Sequence, residues 1–154
     1  MFGLLVFAHI TAMFFAVLMS YGPTLMFLLA LRSRRTENVR AVGIAVRPIV
    51  RAIPVVYGVG ALFGVLAALT GGYNLLSPWL VISYVLFVVL LALGAVFAGP
   101  RMNRVGEMVA TAPDGPLPPD VYAAATARGF VPIELLDFAG LVAVIFVMVV
   151  KPFS

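Results

Sequence analysis

His9 is the only histidine in the chain, and it stands inside an apolar run, "LLVFAHITAMFF", residues 4–15. An ionisable side chain in such a run is a functional-site candidate by default. Neutral imidazole is a good axial ligand for haem iron. It equally suits a bond to a carbonyl or hydroxyl on a neighbouring helix. With no second histidine to join it, the helix-packing role is the preferred reading.

Two acids raise the next question. Glu134 and Asp137 are three residues apart and share one face of a helix. Near a helix N-terminus the macrodipole favours acids. Asp137 lies about one turn deeper than capping needs, so it is expected to pair with an arginine, with a proton site as the alternative. Arg40, Arg47 and Arg51 are seven and four apart, and on a helix they also share a face. That pattern suits anionic lipid headgroups or a phosphorylated or carboxylated ligand. Setting membrane topology is the plainer role and the favoured one. Gly58, Gly60 and Gly64 form a small-residue face on which another helix packs closely.

Other chemistry is excluded by residue type. The chain has no cysteine, which removes disulfides, iron–sulfur clusters and thiol nucleophiles. One histidine cannot build a zinc or di-iron constellation. Ser20, Thr24 and Ser83 have no histidine or acid at helical spacing, and no glycine loop cradles a phosphate. No catalytic residue is assigned, and the sequence leans away from an enzyme. No basic patch is interleaved with exposed aromatics, so no nucleic-acid partner is expected.

These residues need elements to hold them. Of 154 residues, 64% are hydrophobic and 10% charged, and the mean hydropathy is +1.16. A soluble domain carries about a quarter charged residues, so the bilayer must be the main solvent. The expected fold is an all-α integral membrane protein. It is a four-helix transmembrane bundle with a short cytoplasmic helical segment between spans three and four, in a single domain over 1–154. The spans are placed at 3–31, 52–70, 78–99 and 131–150, and the cytoplasmic connections at 32–51 and 100–130. The first apolar run has no basic residue before it and exceeds a leader's length, so it reads as a retained span. Pro23 is expected to kink it. Ser77 and Pro78 read as the start of span three, and Asp120 and Gly129 as the cap and end of the short segment.

Arginines cluster in the first and third connections, while the second, "GGYNLLS", has no charge. The positive-inside rule then makes the first and third cytoplasmic and puts both termini outside. The expected location is a bacterial inner membrane. Tyr73 and Trp79 would belong to an aromatic belt at the outer interface.

Three stretches carry a family resemblance: "FAHITAMFFAVLMSYG", "LTGGYNLLSPWLVISYVLFVVLLALGAVFAGPRMNRV" and "VMVVKP". Together they resemble the domain of unknown function 2269 family of small four-span bacterial membrane proteins. A more distant likeness reaches the four-span haem- and copper-linked proteins of the HemJ and CopD types. In the HemJ type a first-span histidine binds haem and the chain ends in a Lys-Pro-Phe-like sequence, features that His9 and "VVKPF" match. The lysine and histidine that this type carries in its third span are missing here. The resemblance thus implies haem b as a possible cofactor, with His9 as axial ligand and Lys151 beside a propionate.

Three functions follow as expectations. The first is an accessory or structural subunit of a membrane complex, or a homo-oligomer, with the bilayer and itself or other membrane subunits as partners. The second is a haem b protein in redox chemistry or haem handling. The third is a small transporter or proton-coupled channel using Asp137 and His9.

Overall fold

The computed structural model describes residues 1–127 and 130–152. Its elements are α1 (Phe2–Arg32), α2 (Thr36–Thr70), α3 (Pro78–Leu93), a π-helical turn (Gly94–Ala98), α4 (Gly99–Thr111), α5 (Pro119–Ala125) and α6 (Phe130–Val150). Four helices are long and apolar enough to cross a membrane: α1, α2, the continuous helix Pro78–Thr111, and Pro132–Val150. The fold is an all-α membrane bundle.

The helices are longer than the apolar runs alone. At 1.5 Å per residue α2 spans about 52 Å, well beyond a hydrocarbon core of ~30 Å. The stretch 36–51, placed in the first connection with an earlier helix start left open, forms its first four turns. The two internal prolines of α2, Pro48 and Pro54, each cost one hydrogen bond, to the Ile44 and Val50 carbonyls, and the helix continues through both. Pro23 does not interrupt α1 either. Ser20 Oγ donates to the Ala16 carbonyl and Thr24 Oγ1 to the Ser20 carbonyl around that position.

Ser77 is the N-cap of α3 as expected, and the cap expected of Asp120 is corrected. Ser77 does precede α3, but its side chain makes no capping bond; its backbone carbonyl accepts the Leu80 and Val81 amides instead. Asp120 is not the cap of α5 but a first-turn residue behind Pro118 and Pro119, where a carboxylate still meets the positive end of the helix. That helix stops at Ala125, and Thr126 Oγ1 bonds the Tyr122 carbonyl. Gly129, Arg128 and Phe153 lie outside the described residues.

The chain divides into two compact units. The first holds Met1–Asn74 and Ala112–Leu117. Here α1 and α2 run antiparallel, so that Phe2 lies against Gly71, His9 against Gly64 and Met13 against Gly60. The second holds Leu75–Thr111 and the described residues from Pro118 onward. In it α3 packs on α6, with Leu90 pressed against Gly140. In the same unit α4 and α5 pack on each other, and their Val105, Val109, Val121 and Ala125 are buried.

The π-helical turn has a local cause. Pro100 has no amide to give the Val96 carbonyl, and the helix absorbs the defect by widening, with the Gly99 amide bonding the Gly94 carbonyl.

Candidate functional site

His9 is half-buried against α2, and its Nδ1 lies 2.7 Å from the Gly60 carbonyl oxygen. A carbonyl only accepts, so Nδ1 carries the proton and Nε2 keeps its lone pair in the neutral ring. The ring fits because residue 64 has no side chain. A Cβ there would stand 2.8 Å from both His9 Cε1 and Nδ1, and a Cβ at 60 would meet Met13 Cε at 3.1 Å. Gly60 and Gly64 thus form the groove that receives α1, and His9 and Met13 fill it. At Gly58 a Cβ would meet nothing within 4 Å.

A second polar contact joins the same helices. Ser20 Oγ and the Tyr57 hydroxyl are 3.2 Å apart, and Ser20 also donates to its own helix. Sequence reasoning found neither Tyr57 nor Met13, because each acquires its role only from the α1–α2 register. The outer side of α1 carries a shallow groove lined by Val17, Tyr21, Gly22, Leu25 and Leu28. Its walls are almost wholly apolar, which suits an acyl chain.

The three arginines of α2 do not act as a set. Arg40 donates to Asp114 Oδ1 at 2.6 Å and to the Ala112 carbonyl. Its guanidinium bonds the protein's own groups and stays partly exposed. Arg47 and Arg51 are exposed.

Arg40 belongs to a polar strap that sequence reasoning missed. Residues 112–117 lie across the α1–α2 turn. The Leu117 amide donates to the Arg34 carbonyl at 2.8 Å and the Thr36 amide to the Gly115 carbonyl at 3.0 Å. The Gly115 amide reaches Glu37 Oε2 at 3.1 Å, and Arg35 bonds the other carboxylate oxygen at 2.7 Å. Glu37 lies at the start of α2, outside its membrane-spanning part. The backbone amides of Glu37 and Gly115, with Arg35, hold its carboxyl down to about 2. The "PDGP" turn signalled a loop here but not what it touches.

In the other unit, Glu134 and Asp137 are half-buried in the second and third turns of α6, and Glu134 feels the charges of both Asp137 and Arg101. Arg101, from the end of span three, therefore stands within electrostatic reach of Glu134. Lys151 Nζ lies 5.3 Å from the centroid of the Trp79 ring. Trp79, expected in an interfacial belt, is 5% exposed. Lys151 and His9 belong to different units. Among the described residues no group of three or more His, Cys, Asp or Glu side chains could hold a metal ion.

The family described as "Predicted integral membrane protein (DUF2269)" matches residues 3–152. The chain belongs to this family. It is a multi-pass integral membrane protein, and the match covers both helical units and the strap. No curated protein and no solved structure matches the chain.

Proposed function

We propose that this protein is a non-enzymatic subunit of a membrane assembly, built from further copies or from other membrane proteins. The observation that carries this reading is how the polar groups inside the first two spans are spent. His9 bonds Gly60, Ser20 bonds Ala16 and Tyr57, and Thr24 bonds Ser20. Each holds a helix or joins two, and none is paired as nucleophile and base. The location proposed with it is a bacterial inner membrane, with residues 32–51 and 100–130 on the cytoplasmic side. Copurification from membranes in a mild detergent tests the proposal. Defined partners or a fixed multiple of this chain are expected; a lone monomer under every mild condition contradicts it.

A second reading rests on the same histidine. An Nδ1–H held by a backbone carbonyl is how a protein fixes the tautomer that leaves Nε2 free to ligate. His9 therefore fits one axial position of a haem b, which would supply one-electron redox chemistry. The chain has no second histidine for the other position. His9 and Gly60 would orient the ligand, and Gly64 would keep the space for its ring. Absorption spectra of the purified protein distinguish the two readings.

A further inference from the structure

One lipid-facing stripe of α2 changes character along its length. Val55 is 66% exposed and Leu62 58%, and Leu66 continues the same line at helical spacing. Followed toward the N-terminus, this stripe runs into Arg51, Arg47 and Ile44, and Ile44 is 69% exposed. The two arginines are one turn apart, with Cβ atoms about 5–6 Å from each other at helical geometry. Among the described residues neither has an acid partner. No acid occurs in the sequence between Glu37 and Glu107, and Glu37 is held by Arg35. Arg40, the third basic residue on this side of α2, is turned away to Asp114.

The geometry points to a binding site for an anionic phospholipid on this face, with the headgroup phosphate between Arg47 and Arg51 and an acyl chain along Val55, Leu62 and Leu66. Charge complementarity selects the headgroup, since two guanidinium forks match phosphate oxygens and have no acid of their own. Continuity with the apolar stripe selects a lipid over a soluble anion. Pro48 lies between the arginines and leaves the Ile44 carbonyl without its helical donor, so glycerol hydroxyls of a phosphatidylglycerol headgroup find an acceptor there.

Native mass spectrometry of the full chain, released from detergent with matched-chain phosphatidylglycerol and phosphatidylcholine, tests the site. Phosphatidylglycerol is expected to be retained on the order of thirtyfold over phosphatidylcholine, since each of the two arginines near a headgroup contributes roughly fivefold. The variant R47A/R51A should bring the two lipids to parity, and R104A, which removes an exposed arginine on α4, should not. If the double variant does not fold, R47A and R51A singly should each lower the preference. Equal retention by the wild type, or an unchanged preference in these variants, overturns the site. Displacement of the lipid by millimolar inorganic phosphate also overturns it, because the arginines would then take any phosphate.

Discussion

His9 and Gly64 act as one unit, and neither can be changed alone without cost. An alanine at 64 pushes a methyl into the imidazole ring, which the Gly60 bond holds in place. Overpacking of this kind typically costs about 1–3 kcal/mol. Gly64→Ala should therefore lower the thermal unfolding temperature in detergent. His9→Ala removes an interhelical bond worth about 0.6–2 kcal/mol. The double variant should be less destabilised than the sum of the two, because removing the ring makes room for the methyl. Additive losses would show that the two residues do not touch. The sequence made His9 and the glycines conspicuous by type and spacing. It did not pair them, since the contact joins positions 55 residues apart and depends on the register between α1 and α2. Met13 and Tyr57 carried no signal, because a methionine and a tyrosine in an apolar run are ordinary.

At the scale of elements the strap and the turn it covers stabilise each other. Arg34 holds a left-handed conformation, φ 54°, to reverse the chain between α1 and α2. That conformation costs about 1–2 kcal/mol for a residue with a Cβ, and the Leu117 amide bond to the Arg34 carbonyl helps fix it. Arg40→Ala should raise proteolytic cutting near Asp114 several-fold and change global stability by less than about 1 kcal/mol, because the Arg40–Asp114 pair is partly exposed. The strap should also respond to acid in a defined window. The Glu37 carboxyl is held to about 2, against 4.5 for the free group. Its contribution is complete above pH 4.5 and is lost as pH falls through 2. Proteolysis of the strap should be constant from neutral pH down to that upper limit and rise below it, and Glu37→Gln should abolish the rise. Helix existence was legible from hydropathy in every span. That α2 begins before residue 52 was an open option, since Arg40, Arg47 and Arg51 share a face only on a helix; its start at Thr36 was not legible, because apolar length does not mark a helix end in a basic segment. The π-helical turn escaped for another reason, as nothing in "GPR" distinguishes a widened helix from an ordinary proline bend.

For the whole molecule, sidedness is the property that composition reaches furthest. The arginine bias is the ground for proposing that the first and third connections share one side of the membrane. The strap, part of the third connection, lies on the turn of the first, which supports that proposal. The natural absence of cysteine makes this simple to check. A single cysteine at Asn74 should react with an impermeant reagent added outside intact cells, and one at Asp114 only after lysis; the reverse pattern would invert the topology. We propose that the polar side chains inside the first two spans serve helix packing alone, with no cofactor on them. Absorption of the purified protein, expressed with ample haem and recorded oxidised and then dithionite-reduced, tests it most directly. A flat spectrum, with a lowered unfolding temperature in His9→Ala, is the predicted result. A near-stoichiometric Soret band that disappears in His9→Ala would contradict it and make His9 a haem ligand.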